Sequence, residues 1–369
     1  MAHLTIRPRC TACDAGHRCG ILPPPRQEET AISPLIPIDD LNAATPLPAL
    51  LAGPMPNSDF FTRSNFGTPD ADPNSWTMAV SGLVDTPRSF SLDELRALGE
   101  ATEVVTVECA GNGRRLMDPL PEGVAWSLGA VSVAEFTGVP LRRVLDAVGP
   151  APNTVDFVFT GADHGVIDGA GEINYEFSLP AEVAIADGPL LIWAMNGEPL
   201  PPERGGPLRL LVPGHYGMTS VKWLAAIEAI GEAYDGYFRE RYRFFKHPEV
   251  PDGSKVGRMW VRSLITSPED GASIGAELDV GGVAWSGSGP ISSVAVRVDD
   301  GEWVEAQLGP QDSAYRPVAW SIPLPLDSGD HVIAARATDE AGDTQPLSVP
   351  WNSRGYANNA VHRVAVTVA

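Results

Sequence analysis

The sequence has no apolar run long enough to cross a membrane, and it does not begin with the basic and apolar segments of a secretory signal peptide. Arg7 and Arg9 are separated by Pro8, so they do not form a twin-arginine pair. We therefore expect a cytoplasmic protein that does not bind membranes. A periplasmic protein is expected only if the start of the chain is misassigned.

Basic residues are scarce in this chain. Its 369 residues include 26 Lys and Arg against 47 Asp and Glu, which gives a formal net charge of −21. An acidic surface repels phosphate backbones and anionic lipids, so this balance argues against nucleic acid and membranes as main partners. The same balance makes any pocket lined with arginines conspicuous.

Cysteine is scarce as well, and the four cysteines do not make a disulfide framework for a chain of this length. Three of them lie near the N-terminus, where Cys10, Cys13, His17 and Cys19 supply four zinc-type ligands within a short segment. The spacing matches no zinc finger that we can name. We predict that residues 1–35 are a disordered tail, with a zinc clip at these side chains as the alternative.

Turn and periodicity signals divide the rest of the chain in two. Strand-like runs and short helices alternate over residues 36–257, whereas seven evenly spaced strand-like runs with no helix follow over residues 258–369. The second pattern is typical of an immunoglobulin-like β-sandwich. We therefore predict an α+β chain with a catalytic domain at 36–257 and a sandwich at 258–369.

Several local signals place individual elements of the first region. Ser91 and Glu94 have the spacing of a capping box, Gly149 ends an amphipathic helix, and Asn196-Gly197 is a hairpin dipeptide. We further predict strands at 155–160 and 222–228, with 161–165 as the loop that follows the first of them.

Cys109 stands at the end of a β-branched run, Val104 to Val107, that predicts a buried strand. Gly111 and Gly113 allow the chain to turn sharply after it, and Arg114 follows within a short turn. The cysteine would then face a pocket with a cation nearby. A thiolate is the form of cysteine that binds metals, whereas most lone cysteines are small buried hydrophobes. The chemistry of this stretch alone leaves both interpretations open.

Five segments in order resemble the sulfite oxidase family of molybdopterin enzymes, over roughly residues 45–365. They are Cys-Ala-Gly-Asn-Gly-Arg at 109–114, Trp-Ser-Leu-Gly-Ala at 126–130, Met-Asn-Gly-Glu-Pro-Leu-Pro at 195–201, Val-Lys-Trp-Leu at 221–224 and Trp-Asn-Ser-Arg-Gly at 351–355. The resemblance implies a molybdenum-pterin domain followed by an immunoglobulin-like dimerisation domain, and hence a homodimer.

The resemblance also assigns a cofactor site. It implies that Cys109 is the thiolate ligand of molybdenum, which suits a soft, redox-active metal. The pterin phosphate requires backbone N–H groups and cations. The implied cofactor contacts are Phe61, Thr62, Arg63, Ser64, Asn65, Asp163, Arg204, Arg209, Ser220, Val221 and Lys222.

A second set of residues matches the family's oxyanion pocket. The guanidinium groups of Arg63, Arg114 and Arg354 would bind the anion, because arginine grips such oxygens in a fork. Tyr242 would donate a hydrogen bond beside the metal, and Trp126 would form a wall of the pocket. Arg354 comes from the second domain, so that domain would help to build the site.

The chain departs from the family pattern at several of these positions. Glu122 replaces a lysine, Arg204 replaces a cofactor-contact histidine, Gly113 replaces an arginine of the vertebrate members, and Ser64-Asn65 replaces Asn-His. Residues 217–219 are Gly-Met-Thr in place of Gly-Ala-Arg. The pocket is therefore less basic than in the best-known members.

The implied reaction is the oxidation of sulfite to sulfate by oxygen-atom transfer at the Cys-ligated molybdenum. The sequence carries no haem, flavin, nicotinamide or iron–sulfur signature, so electrons would leave to a separate carrier such as a cytochrome c. Glu122 and Asn65 keep a sulfoxide or nitrate reductase with the same cofactor as an alternative. A cofactor-free binding protein with an immunoglobulin-like module is a third interpretation.

Overall fold

The computed structural model describes residues 35–50 and 52–369, which belong to one compact unit. The predicted tail and its cluster of Cys10, Cys13, His17 and Cys19 lie outside the described residues, so the zinc clip stays a prediction. No helix within the described ranges has the length and apolar content needed to span a membrane.

Twelve strands and four short helices make up the first region. They are β1 Ile36–Asp39, β2 Asn42–Ala44, β3 Thr77–Gly82, β4 Arg88–Ser91, α1 Leu92–Ala97, β5 Ala101–Glu108, β6 Val131–Pro140, α2 Leu141–Val148, β7 Asp156–Ile167, β8 Gly171–Pro180, α3 Ala181–Ala184, β9 Leu190–Met195, β10 Glu198–Pro199, β11 Arg209–Leu211, β12 Leu224–Ile230 and α4 Tyr237–Arg241.

These strands form two five-stranded sheets and the β1–β2 hairpin. One sheet has the order β10-β9-β6-β5, with β11 paired to β9, and the other has the order β4-β3-β12-β7-β8. The pairing is antiparallel except between β3 and β12. Residues from both sheets share a large apolar core, in which Phe157, Leu191 and Ile227 are fully buried. The predicted α+β class is thus a mainly antiparallel fold with few helical turns.

The local predictions of turns and caps are confirmed. The hydroxyl of Ser91 accepts from the Glu94 backbone N–H, and the Glu94 carboxylate accepts from the Ser91 N–H, which completes the capping box of α1. Helix α2 ends at Gly149, which has φ 66°. Asn196 and Gly197 both have positive φ and join β9 to β10.

Two predictions for the first region were wrong. Residues 161–165 do not form a loop, because β7 continues through them to Ile167 and pairs with β8, with an irregular register between Thr160 and His164. Strand β8 itself was missed. The predicted strand at 222–228 begins later, at Leu224, because Trp223 has φ 47°, a left-handed conformation that no strand accommodates.

The second region contains nine strands in two sheets. The strands are β13 Arg262–Ser267, β14 Ala272–Ile274, β15 Glu277–Trp285, β16 Ile291–Val298, β17 Val304–Glu305, β18 Gln307–Leu308, β19 Val318–Pro325, β20 Gly329–Asp339 and β21 His362–Val368. The orders are β13-β15-β19-β18 and β14-β21-β20-β16-β17. Both sheets contribute to one core that includes Val280, Trp320 and Ile333, so the region is a β-sandwich.

One of the seven strand-like runs predicted for the sandwich, at 303–308, is divided in the structure. The run at 303–308 forms β17, which pairs with β16, and β18, which pairs with β19 in the other sheet. Ala306 lies between them and is buried in the core. The segment therefore crosses from one sheet to the other at a small side chain.

Candidate active site

One cavity brings together most of the predicted site residues, from seven separate parts of the chain. It is lined by Phe60, Phe61, Thr62, Arg63, Ser64, Asn65, Val107, Cys109, Ala110, Asp163, Tyr175, Glu203, Arg204, Arg209, Gly217, Met218, Ser220, Lys222 and Tyr242. The cavity lies where the chain leaves β5, where β7 passes its irregular register, and at the 3-10 turns Pro202–Arg204 and Gly217–Thr219.

Cys109 is the first residue after β5 and is partly exposed in this cavity. Its N–H donates to the Ala130 carbonyl (2.9 Å), and its own carbonyl accepts from the Asn112 N–H (2.9 Å). A side chain on Gly111 would lie 2.3 Å from the Arg114 guanidinium, so glycine is needed there for the arginine to fold over the turn. The strand and turn predicted around Cys109 are therefore present.

Four cationic side chains surround the cavity: Arg63, Arg204, Arg209 and Lys222. Burial lowers the pKa of Arg209 to about 10, with the neighbouring charge of Arg204 as a further cause. Burial also holds the pKa of Lys222 well below its ordinary value, and Arg209 adds to this shift. Buried like charges of this kind are costly unless an anion compensates them. The cavity therefore has the electrostatics of an anion site.

Several buried polar atoms in the cavity have no partner. They are Oδ1 of Asp163, Nε of Arg204 and Nε of Arg209. Burial raises the pKa of Asp163 to about 6, although Lys222 opposes the shift. Because buried polar groups in folded proteins are nearly always hydrogen-bonded, unpaired atoms at a cavity indicate a ligand that would pair with them.

The remaining polar groups of the cavity are held in place by the chain. Lys222 Nζ donates to Ser64 Oγ (2.5 Å) and to the Glu203 carbonyl (3.1 Å). Arg204 donates to the Phe61 carbonyl (3.1 Å) and to the Thr62 hydroxyl. Arg63 donates to Asn65 Oδ1 (2.7 Å). Segment 61–65 is thus tied to the turn at 202–204 and to Lys222.

Arg114 lies just outside the cavity lining and acts on it through charge. Its Nε donates to the Arg354 carbonyl (2.8 Å), its Nη1 donates to the Val124 carbonyl (2.6 Å), and its guanidinium packs on the Tyr356 ring. Burial lowers the pKa of Arg114, and the charge of Cys109 is the largest cause that opposes this shift. Arg114 is therefore a buried cation close to the thiol.

Besides Arg114, three predicted residues do not line the cavity. The Arg354 side chain turns to the surface and pairs with Glu122 (2.8 Å). Trp126 is fully buried behind Phe61, with ring centroids 6.3 Å apart in an edge-to-face contact. Val221 is also fully buried, and its carbonyl accepts from the Leu210 N–H (2.9 Å).

Comparisons with known proteins show the family of this chain. Residues 65–238 match the oxidoreductase molybdopterin binding domain, and residues 254–369 match the Mo-co oxidoreductase dimerisation domain. The chain is 31% identical to sulfite oxidase of Arabidopsis thaliana over 376 residues, which cover 92% of this chain and 94% of that protein. The chain belongs to the sulfite oxidase family.

Other relatives and a solved structure place the chain within this family. Mitochondrial sulfite oxidase of Mus musculus is 34% identical over 89% of this chain, and nitrate reductase [NAD(P)H] of Hordeum vulgare is 32% identical over 89% of it. The chain spans 64% of the mouse protein and 41% of the barley protein. The sulfane dehydrogenase SoxCD of Paracoccus pantotrophus superposes with a TM-score of 0.77 at 26% identity, over 93% of this chain and 89% of that one.

The sulfite oxidase family motifs did not reveal every residue of the cavity. Tyr175, whose hydroxyl donates to the Met218 carbonyl (2.7 Å), comes from the missed strand β8. Phe60 precedes the predicted segment 61–65, and Met218 lies two residues before Ser220, but neither was predicted to line the site. For these two, closeness to predicted positions was the available signal, whereas Tyr175 had none.

Proposed function

We propose that this chain is a molybdenum-pterin oxidoreductase that oxidises sulfite to sulfate and passes the electrons to a separate acceptor. The observation that carries the proposal is the single cavity that combines the Cys109 thiol, four cationic side chains and unpaired buried polar atoms. Membership of the sulfite oxidase family supports the same cofactor and reaction class.

The residues present fit a phosphorylated pterin. Arg204, Arg209 and Lys222 supply the positive charge that a phosphate requires, and two of these three have an unpaired Nε. Asp163, which burial keeps partly protonated near neutral pH, can donate to or accept from a pterin nitrogen. We assign the cofactor contacts to these residues together with segment 61–65, Ser220 and the backbone of Val221.

The remaining roles, which are metal ligation and binding of the oxyanion, are assigned to residues around the Cys109 thiol. Cys109 would ligate the metal, because it is the thiol of the cavity. Arg63 and Arg114 would hold the oxyanion near it, and the Tyr242 hydroxyl, which lines the same cavity, would donate a hydrogen bond. When bound, the molybdenum-pterin would supply two-electron oxygen-atom transfer. The side chains would orient the anion and stabilise its charge.

Arg354 would join this pocket only by leaving Glu122. The ion pair between them is exposed, and exposed ion pairs are weak. Its carbonyl already accepts from Arg114 Nε, so its backbone lies next to a residue proposed to hold the anion. Trp126 would act behind Phe61 as a wall of the pocket.

The second region also has a proposed role. We propose that its two mainly antiparallel sheets form an immunoglobulin-like sandwich at residues 258–369, that 36–257 is the catalytic domain, and that the chain forms a homodimer through the sandwich. A separate electron carrier, such as a cytochrome c, would accept the electrons.

The alternative is a sulfoxide or nitrate reductase with the same cofactor. The pairing of Arg354 with Glu122 withdraws a cation from the oxyanion pocket, and a nitrate reductase is among the relatives. A monoanion such as nitrate needs less positive charge than a dianion.

Stopped-flow reduction of the molybdenum-loaded protein tests the proposal. We expect millimolar sulfite to reduce the metal rapidly in the wild type, whereas methionine sulfoxide and nitrate should not reoxidise the reduced protein at a comparable rate. No reduction by sulfite, with rapid reoxidation by one of the other two, would establish the alternative.

A further inference from the structure

A buried carboxylate stands directly behind the cavity. Glu108 precedes Cys109 at the end of β5, and since successive side chains of a strand point to opposite faces, it faces away from the cavity that Cys109 lines. Glu108 is 1% exposed, and its partner Arg262 is 3% exposed. Among residues 35–50 and 52–369, this is the ion pair in which both side chains are buried.

Both oxygens of Glu108 accept hydrogen bonds from the sandwich. Arg262 of β13 donates to Oε1 (2.7 Å), and Trp285 of β15 donates through its indole N–H to Oε2 (2.9 Å). The two donors are 154 and 177 residues away from Glu108 along the chain. The end of β5 is therefore attached to the second region by charge and hydrogen bonding, in addition to packing.

The same carboxylate is connected to the Cys109 turn. Asn112 donates to Glu108 Oε1 (3.0 Å), and the Asn112 side-chain oxygen accepts from the Ala130 N–H (3.1 Å). The Ala130 carbonyl in turn accepts from the Cys109 N–H (2.9 Å). A closed circuit of hydrogen bonds thus runs from Glu108 through Asn112 and Ala130 to Cys109.

The far side of the turn is also held by the second region. The Ala110 carbonyl accepts from the Ala357 N–H (2.8 Å), and the Gly113 carbonyl accepts from the Asn358 side chain (2.8 Å). These contacts hold the backbone of Ala110 and Gly113. The side chain of Glu108 holds the end of β5 next to Cys109. Among these contacts, Glu108 is the side chain that bonds both to the sandwich and to the turn that follows Cys109.

We propose that Glu108 is a positioning residue, and that Arg262 and Trp285 of the sandwich act through it to fix the direction of the Cys109 side chain. The inference rests on the proposed role of Cys109 as a metal ligand. A buried ion pair adds little net stability, since desolvation offsets its attraction, so a role in specifying one geometry accounts for it better. Removing one partner leaves a buried charge uncompensated, which would loosen the turn.

The test is the reactivity of Cys109 in the metal-free, full-length protein under native conditions. Cys10, Cys13 and Cys19 are replaced by serine so that alkylation by iodoacetamide, followed by mass spectrometry, reports on Cys109 alone. We expect Glu108→Gln and Arg262→Met each to accelerate alkylation by about tenfold, because local opening of the turn exposes the thiol. The double variant should resemble either single variant, because the two residues act as one unit.

The matched control is Val294→Ala, which removes two methyl groups from the sandwich core at a residue that makes none of these hydrogen bonds. It should lower the unfolding midpoint without accelerating alkylation. If Arg262→Met does not fold, Trp285→Phe removes a single hydrogen-bond donor from Glu108 and should still accelerate alkylation by about threefold. The proposal is overturned if these variants lose stability yet alkylate Cys109 no faster than Val294→Ala.

A second readout separates this inference from the proposed function. In molybdenum-loaded protein, a mispositioned thiolate should shift or weaken the sulfur-to-metal charge-transfer absorption in Arg262→Met, while Val294→Ala leaves it unchanged. If the wild type binds no molybdenum, the proposed function fails. The alkylation rates in the metal-free protein would still decide whether Glu108 positions Cys109.

Discussion

The two sides of Cys109 differ in how their buried polar groups are satisfied. On the cavity side, Asp163, Arg204 and Arg209 each keep an unpaired buried atom. On the opposite side, both oxygens of Glu108 are hydrogen-bonded, and Arg262 Nε is the unpaired atom of that pair. Unpaired groups around a cavity mark the position of a ligand, whereas paired groups between two regions mark the scaffold. The Cys109 thiol lies between the cavity on one side and the hydrogen-bonded Glu108 on the other.

The largest effect on turnover is expected when Cys109 itself is replaced. Cys109→Ser replaces a soft sulfur ligand by a harder, poorer one, so sulfite-dependent turnover should fall by about a hundredfold or more. Steady-state assay at equal metal content measures the loss. Cys19→Ser, within the segment predicted to be a tail, is the control and should not change turnover. Retention of full activity by Cys109→Ser would remove the thiol from the mechanism.

Arg209→Met tests whether the cavity cations are there for a ligand. We expect the affinity for the cofactor to fall by about tenfold to a hundredfold, because a partner of the phosphate is lost. The metal-free protein should become more stable, by about 1 kcal/mol, since an uncompensated buried charge is removed. Cofactor retention on dilution and urea unfolding measure the two effects. Arg96→Met, on the exposed face of α1, should change neither.

The carboxyl group of Asp163 gives the stability of the cavity a pH dependence. Its folded pKa of about 6 lies above the ordinary 3.8, so the folded state holds a proton that the unfolded state has lost between these values. Stability therefore falls as pH rises through this window, by about 3 kcal/mol, and is fully present only below it. Urea unfolding of the metal-free wild type and of Asp163→Asn, compared across the window, should show the loss only in the wild type. Parallel curves for the two proteins would refute the assignment.

The smallest effect on activity is expected at Glu122, the exposed partner of Arg354. Glu122→Gln removes the exposed partner of Arg354, and since exposed ion pairs contribute little, KM for sulfite should fall only about two- to fivefold with kcat unchanged. Asp118→Asn is the matched control for net charge, because Asp118 is exposed, lies four positions earlier in the chain and forms no ion pair within residues 35–50 and 52–369. An equal fall in KM for both variants would mean that general charge, and not release of Arg354, is responsible.

Local features of this chain could be predicted from the sequence, because the residues that determine them are close together in the chain. The capping box at Ser91, the hairpin at Asn196-Gly197 and the turn after Cys109 each depend on residues within a few positions of one another. The strand boundary near Trp223 was misjudged because its positive φ has no signal in the residue type. The extension of β7 through Asp163 depends on pairing with β8, whose alternation is irregular.

The candidate site also has one part that the sequence predicted and another part that it did not. Family motifs indicated the cavity residues, but not which of the predicted arginines line it. The rotation of Arg354 toward Glu122 joins residues 232 positions apart, and the contacts of Glu108 with Arg262 and Trp285 span 154 and 177 positions. Such pairs depend on how the sandwich packs against the first region, which no spacing in a single sequence encodes.

X-ray absorption at the molybdenum edge tests the central claim most directly, because it counts the sulfur ligands of the metal without depending on the substrate. The account predicts that Cys109→Ser, compared with wild-type protein of equal molybdenum content, loses one sulfur ligand. It also predicts that Cys19→Ser loses none. An unchanged sulfur count in Cys109→Ser would contradict the assignment of this thiol as the protein's metal ligand.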